Sequence, residues 1–256
     1  MSAWDVDLYL HFGNERTQPA LDLISRLTVS NPKRVIDLGC GPGNSTEILR
    51  RRWPNADVTG LDSSPEMIAA ARKSHSNQDW ILADAGAWVA PVPYDIVFSN
   101  AALQWIPNHD QLVCRLLDQV ASGGALAFQI PNHIHSPLHQ LILQTADEPE
   151  WSQRMRRGKN ALTIESPSFY FDALAQRASK LDIWETEYWH VLEDAQAIVQ
   201  WIRSTGLRPF LESLDTEDQK QRFIKLLTER VAGAYPCQKN GKVLFPFRRL
   251  FVVAYR

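Results

Sequence analysis

Val35-Ile36-Asp37-Leu38-Gly39-Cys40-Gly41-Pro42-Gly43-Asn44-Ser45-Thr46 opens on a β-branched apolar run, breaks into three alternating glycines, and leads into a segment of helical period. A strand that turns through glycine into a helix is the opening unit of an open parallel sheet. Working outward, the same rhythm repeats as far as Gln129. The strands are expected at Arg34 to Leu38, Asp57 to Leu61, Trp80 to Ala83, Tyr94 to Phe98 and Ala125 to Gln129. Between them, Ser45 to Arg52, Ser64 to Lys73 and Asp110 to Val120 place apolar residues at i, i+3, i+4 spacing, as covering helices do. Ser64 followed by Pro65 is a strong helix start, and Gly123-Gly124 is expected to stop the third helix before the fifth strand.

Beyond Pro131 the rhythm changes. A helical and irregular stretch runs to about Lys180, followed by an alternating strand from Asp182 to Trp189. Helices are then expected from Asp194 to Arg203 and from Thr216 to Ala232, with a last strand from Leu250 to Tyr255. No Gly/Ser/Pro-rich linker, internal repeat or low-complexity segment divides the halves. The expectation is therefore one domain over residues 1–256, with a ligand-binding core at about 30–132 and helical insertions at about 133–180 and 193–240.

A formal charge of −2 gives no basic field of the kind that binds a phosphate backbone, so nucleic acid is not expected as a partner. The beginning of the chain lacks a basic stretch followed by an apolar one, and no window of membrane-spanning length is uninterrupted and apolar. A cytoplasmic protein with no membrane partner is expected, as a monomer or weak oligomer. Cys40, Cys114 and Cys237 are widely spaced, without zinc-site pairing; free thiols and no bound metal are expected. Trp88, Trp105, Trp184, Trp189 and Trp201 are too many for a core alone, which leaves one or two to line a pocket.

The glycine turn lets a ligand approach the backbone at the carboxyl end of the strands. A dinucleotide is the first rival, but its fingerprint needs a third glycine where Asn44 stands. Asp37, two residues before Gly39, would also repel a pyrophosphate, and no Lys or Arg lies between Asp37 and Glu47 to offset it. A ligand carrying an ammonium and a sulfonium, as S-adenosylmethionine (SAM) does, suits the acid better. Asp62 ends the second strand, where a carboxylate can accept from both ribose hydroxyls, or else merely cap the next helix. Ser63 follows it. Asp84, with the backbone of Ala85, is placed to meet an adenine amino group; the alternative is a solvated loop acid. Asn100 ends the fourth strand and can contact the amino-acid end of the donor, or simply turn the chain in the left-handed region.

With these residues in hand, the segment Val35 to Thr46 resembles motif I of the class I SAM-dependent methyltransferases. The likeness narrows further at Tyr9-Leu10-His11-Phe12, Asn100 to Trp105 and Thr205-Gly206-Leu207-Arg208-Pro209, which resemble the family that methylates trans-aconitate. The resemblance implies a Rossmann-like α/β fold with seven strands, mostly parallel with the last antiparallel, and helices on both faces. It also implies SAM as donor and esterification of one carboxylate of a small polycarboxylic acid. The segment from about Glu150 to Ser168 matches least.

A carboxylate is already nucleophilic at neutral pH, so transfer to it needs placement and exclusion of water more than a general base. No catalytic acid or base is assigned; His11 is the candidate, with a structural or substrate-binding role the stronger alternative. A polyacid needs cations, and Arg grips a carboxylate through two parallel N–H bonds. Arg208 and Arg248 are expected to bind the acceptor together with His11 and Trp105; Arg249 is weighed mainly as a solvated surface residue. An acyl-carrier-bound or other small acid is the alternative acceptor, and a catalytically silent SAM-binding protein is the alternative class.

Overall fold

The computed structural model describes residues 13–256, with side chains from residue 17 onward. Its seven-stranded sheet has the order β3-β2-β1-β4-β5-β7-β6. The strands are β1 (Arg34–Leu38), β2 (Asp57–Asp62), β3 (Asp79–Leu82), β4 (Tyr94–Asn100), β5 (Val120–Pro131), β6 (Lys180–Leu192) and β7 (Val243–Tyr255). β1 pairs in parallel with both β2 and β4, β2 with β3, and β4 with β5, whereas β7 runs antiparallel to β5. The expected α/β sheet with an antiparallel last strand is what the chain forms.

The described residues fall into two compact units. The larger comprises residues 13–131, Thr163–Thr186 and Arg249–Arg256. Its helices are α1 (Gly13–Ser25), α2 (Asn44–Arg52), α3 (Pro65–Ser74), α4 (His109–Asp118) and α7 (Pro167–Leu174). One sheet face presents Ile36, Val97, Leu126, Phe128, Ile130, Leu250 and Val252 to Leu112, Val113 and Leu116 of α4 and to Tyr170 and Leu174 of α7, all buried. Strand alternation sends Asp37, Phe98, Asn100, Gln129 and Phe251 to the opposite face, where α1 packs on β5.

The smaller unit comprises Asn132–Leu162 and Glu187–Arg248. It holds α5 (Pro137–Ala146), α6 (Arg156–Lys159), α8 (Ala195–Arg203), α9 (Arg208–Leu211) and α10 (Glu217–Ala234). Its interior is aromatic: Trp201 meets Phe245 edge-on at 5.1 Å, and Tyr235 meets the same ring at 5.5 Å. Thr216 and Gln219 form a reciprocal capping box at the start of α10, which fixes where the chain re-enters helix.

Local signals placed most boundaries. Ser64 caps α3 by accepting from Met67 N at 3.2 Å, with Pro65 at the first helical position. The glycine pair before the fifth strand behaves differently from expectation. α4 already ends at Asp118, and Gly123-Gly124 lies inside β5. A Cβ on Gly124 would fall 2.4 Å from the Asp95 carbonyl, so this glycine permits close approach of β4 rather than stopping a helix. Of the tryptophans, Trp201 is core, Trp88, Trp105 and Trp184 are half-buried, and Trp189 is 59% exposed on β6.

No described helix is long and apolar enough to cross a membrane. Among the described residues, no cluster of His, Cys, Asp or Glu is arranged to hold a metal ion.

Trp80 explains two glycines at once: a Cβ on Gly43 would lie 2.7 Å from its ring, and one on Gly60 2.4 Å. The buried indole packs with Cys40, Ile68 and Ala71 beneath the glycine turn. Trp80→Ala should cost about 3–5 kcal/mol, through the lost burial of the indole and the void it leaves. Urea unfolding followed by far-UV circular dichroism checks this, and a loss below about 1 kcal/mol would show that the indole is not the support of the turn.

Candidate functional site

The turn after β1 is stitched to β2 by its backbone. Gly39 N and Cys40 N both donate to the Leu61 carbonyl, at 2.7 and 3.0 Å. Gly41 N donates to Asp62 Oδ2 at 2.9 Å, and Ser64 N donates to Asp62 Oδ1 at 2.8 Å. All three turn glycines occupy the left-handed region, with φ of +72° at Gly39, +56° at Gly41 and +100° at Gly43. Gly39 has a second reason to be glycine: a Cβ there would sit 2.1 Å from the Ala102 Cβ, so the loop after β4 rests directly on it. At Gly41 nothing lies within 4 Å of a Cβ position, leaving open space above the backbone.

Asp37 is fully buried. Its Oδ2 accepts from Ser45 Oγ at 2.6 Å and from Thr46 Oγ1 at 2.7 Å, both in the first turn of α2. Its Oδ1 is equally buried and has no hydrogen-bond partner among the described residues. Burial raises its pKa to about 6, against the lowering effect of the two hydroxyls, and the nearby Asp62 adds to the rise. Burial also raises the Asp62 pKa, opposed by hydrogen bonds from the backbone of Ser64, Gly41 and Ser63. Ser45 and Thr46 are partners of Asp37 that the sequence reading passed over. The available signal was two hydroxyl residues in the helix turn that follows a buried acid.

The remaining positions line up along the carboxyl ends of the strands. Asp62 ends β2 half-buried, Ser63 is exposed beside it, and Asn44 is the first residue of α2. Ala83 N donates to the Asp62 carbonyl at 3.0 Å, which holds the end of β3 against β2. Asp84 is exposed and closes an Asx turn by accepting from Gly86 N at 2.8 Å. Ala85 is buried, and its carbonyl accepts from Arg115 Nη2 at 3.0 Å. Asn100 is the last residue of β4, half-buried. The left-handed turn that was the alternative reading of Asn100 occurs instead at Ala101, with φ of +55°. Ala101 N donates to the Gln129 carbonyl at 2.9 Å, so Asn100 itself stays extended in the ladder.

Trp105 ends a short 3-10 turn, Leu103–Trp105, whose orientation depends on a buried histidine. His109 Nε2 lies 2.9 Å from the Leu103 carbonyl, and its Nδ1 lies 2.5 Å from the Tyr170 hydroxyl. A carbonyl only accepts, so Nε2 carries the proton and Nδ1 accepts from Tyr170. Burial lowers the His109 pKa, consistent with a neutral ring.

In the smaller unit, Arg208 opens α9 with its side chain only 17% exposed. It is therefore not a solvated surface residue. Its Nε lies 3.6 Å from Glu212 Oε1, and Arg157 reaches the other oxygen of the same carboxylate at 3.3 Å. Burial lowers the Arg208 pKa; Glu212 opposes this and Arg157 adds to it. Arg157 lies in the stretch the sequence reading matched least, and no local pattern linked it to Glu212. Arg248 is 54% exposed and pairs with Glu187 at 3.5 Å. Arg249 is buried, with Nη1 donating to Gln129 Oε1 at 3.2 Å. His11, with the rest of Tyr9-Leu10-His11-Phe12, lies outside the described residues.

A model of the methyltransferase domain family matches residues 35–124, the stretch that holds the glycine turn and the first four strands. Over all of both chains, the protein is 44% identical to a trans-aconitate 2-methyltransferase of Rhodopseudomonas palustris strain BisB18. It is 45% identical to one of Methylobacterium nodulans, over 100% of this chain and 99% of that one. Among solved structures, the YcgJ protein of Bacillus subtilis aligns with a TM-score of 0.62 at 13% identity, covering 93% of this chain and 99% of that chain. That likeness is one of fold.

The raised Asp37 pKa predicts a measurable penalty without any ligand. The folded state holds the proton more tightly than the unfolded chain, whose pKa is near 3.8, so stability falls as pH rises from about 4 through about 6. Asp37→Asn removes this titration while keeping an acceptor for the two hydroxyls. The variant should gain roughly 2–3 kcal/mol relative to wild type between pH 4 and 7. Paired urea titrations across that range check it, and a pH-independent difference would show that Asp37 is not held neutral by burial.

Proposed function

The chain belongs to the trans-aconitate 2-methyltransferase family, and from that premise we propose that it esterifies one carboxylate of trans-aconitate with a methyl group from SAM. The observation that carries the donor assignment is the buried, partnerless Oδ1 of Asp37 beside a glycine backbone with open space above it. A buried carboxylate oxygen with no donor is costly, and an ammonium is the cation that would satisfy it.

The residues fit a SAM-shaped ligand one by one. Asp37 would receive the ammonium, with Ser45 and Thr46 holding its other oxygen in place. Gly39, Gly41 and Asn44 would offer backbone and amide along the amino-acid portion. Asp62 retains accepting capacity on both oxygens after its two backbone bonds, enough for a ribose diol. Asp84, through the oxygen its Asx turn leaves over, and the Ala85 backbone would meet the adenine, with Ser63 at the rim. Asn100 would orient the amino-acid end. When bound, SAM supplies an electrophilic methyl on a sulfonium.

The chain's own work is then positioning and desolvation. A carboxylate acceptor arrives ionised, so no proton need be removed, and His11 is read as an acceptor contact ahead of a base. Trp105 would exclude water from the transfer path, held by the Leu103–His109–Tyr170 chain. Arg208 is the main cation for an acceptor carboxylate. It shares the Glu212 carboxylate with Arg157, which places two guanidinium groups beside each other on one helix turn's acid. Arg248, already balanced by Glu187, is the secondary candidate. The helical segments interrupt the sheet unit along the chain, which supports reading 1–256 as one methyltransferase domain with insertions.

The direct test is incubation of the full chain with methyl-labelled SAM and a panel of small carboxylic acids. Base-labile methyl ester should form from trans-aconitate and from few others; no ester from any acid would overturn the reading. Two further outcomes are expected. SAM affinity should weaken by about tenfold between pH 7 and pH 5, as Asp37 takes up its proton below about 6 and loses the charge that pairs with ammonium. Calorimetric titration reads this, and flat affinity would remove the Asp37–ammonium pair. Arg208→Gln should lower kcat/KM for trans-aconitate by roughly 2–4 kcal/mol, and Arg208→Lys by less, with SAM affinity little changed. Wild-type kinetics in Arg208→Gln would remove this residue from the acceptor site.

A further inference from the structure

Two segments far apart in the chain meet at the loop that follows β4. Ala102 of this loop rests on the glycine turn at Gly39, so wherever the loop sits, a wall of the site sits with it. The Gln104 carbonyl accepts from Thr163 N at 2.8 Å, at the point where the chain re-enters the larger unit. A second tie runs through buried side chains. His109 Nε2 donates to the Leu103 carbonyl at 2.9 Å, and Nδ1 accepts from the Tyr170 hydroxyl at 2.5 Å. His109 is 1% exposed, and Leu103 and Tyr170 are fully buried. A neutral imidazole has one donor and one acceptor, and both are used. Burial raises the Tyr170 pKa, opposed by a hydrogen bond from the Glu165 backbone, so the phenolic oxygen is itself engaged from the return segment. Phe128 and Phe169 meet the Tyr170 ring edge-on at 5.2 and 5.4 Å, which holds the phenol from two further sides.

We propose that His109 is a positioning residue for methyl transfer, its neutral ring bracing the loop after β4 against the return segment from Thr163 to Tyr170. The inference rests on the methyltransferase reading above and deepens it: transfer to a carboxylate needs no base, yet it would need this one histidine unprotonated. Protonation turns Nδ1 into a donor aimed at an oxygen already engaged by the Glu165 backbone, and it leaves the phenolic proton in the core without its acceptor. The tie to Leu103 survives that change, and the tie to α7 does not. Among the described residues, the charged groups that reach the ring are the carboxylates of Glu165 on the return segment and Asp110 beside it on α4. Burial lowers the His109 pKa and outweighs both, together with the bond to Leu103, so the ring stays neutral through the ordinary value of 6.5 and takes its proton only below it. A histidine that merely stabilises the fold is the rival. Placement argues against it, because the brace ends on Leu103, between the Ala102 that rests on Gly39 and the turn that carries Trp105, and slack there is slack at the site.

Three variants of the full chain test the brace, with kcat read at saturating SAM and trans-aconitate from pH 8 to pH 5. His109→Phe keeps a ring and removes both hydrogen bonds. Tyr170→Phe removes only the hydroxyl, and it reads the brace should His109→Phe not fold. His109→Gln keeps an amide donor for Leu103 and does not titrate. At pH 8, kcat is expected to fall about tenfold or more in His109→Phe and by less in the other two, with the SAM dissociation constant within about twofold of wild type. Toward pH 5 the wild-type kcat should fall while that of His109→Gln stays level; the Asp37 titration acts on SAM affinity and is common to all four proteins. A kcat within about twofold of wild type at pH 8 in the folded Phe variants overturns the proposal, and so does a loss carried by SAM affinity alone. A wild-type kcat level to pH 5, or an acid limb unchanged in His109→Gln, overturns it as well. Should the wild-type chain methylate no acid at all, the functional reading fails separately. Hydrogen exchange of the backbone amides from Ala101 to Ile106 then decides: faster exchange in Tyr170→Phe than in wild type at the same pH supports the brace, and equal exchange overturns it.

Discussion

Three backbone amides of one turn, those of Gly39, Cys40 and Gly41, are spent on the end of the neighbouring strand, two on the Leu61 carbonyl and one on the Asp62 carboxylate. Everything at the carboxyl edge of the sheet depends on this stitch. It requires positive φ at Gly39 and Gly41, tolerates no side chain where Ala102 rests on Gly39, and brings Asp37 and Asp62 near enough for each charge to oppose the other. A parallel sheet makes the arrangement possible, because it delivers the ends of β1, β2 and β4 to the same edge.

The cost of the stitch is two acids held in a dry place. Asp62 is compensated by backbone donors from two directions, whereas Asp37 is compensated on one oxygen only. That asymmetry separates their roles. A carboxylate surrounded by amides stays an acceptor for hydroxyls, while one with a bare buried oxygen is tuned to a cation. Gln129 shows the same asymmetry, its oxygen committed to Arg249 and its buried amide nitrogen without a hydrogen-bond partner among the described residues.

Catalysis of this kind makes modest demands on acid–base chemistry and heavy ones on geometry. The chain reflects that. The turn carrying Trp105 is held by a histidine used as a neutral brace between a carbonyl and a phenol, and Ala101 rather than Asn100 absorbs the backbone strain after β4. Asn100 therefore keeps a strand geometry, which directs its side chain onto the same face as Asp37.

Much of this was legible without coordinates, for a physical reason. Val35 to Thr46 specifies its own strand, turn and helix through dihedral preference and periodicity; Ser64-Pro65 specifies a helix start through local capping; and the order of apolar runs specifies a parallel sheet. Asp37 and Asp62 were readable as acids of one edge because strand ends in such sheets face the same side. What local rules could not supply was which residues distant in sequence would meet. Gly123-Gly124 read as a helix stop until the Asp95 backbone was seen pressing on Gly124. Arg249 read mainly as a solvated surface residue until the antiparallel register of β7 buried it beside Gln129, and Arg157 had no reading at all until α6 and α9 packed around Glu212. The sequence by itself determined the sheet, its glycine turn and the acids at its carboxyl edge, since those follow from interactions within a few residues. Only the tertiary structure decided which buried charges are answered and which are left open, since that depends on strand register and packing between segments far apart in the chain.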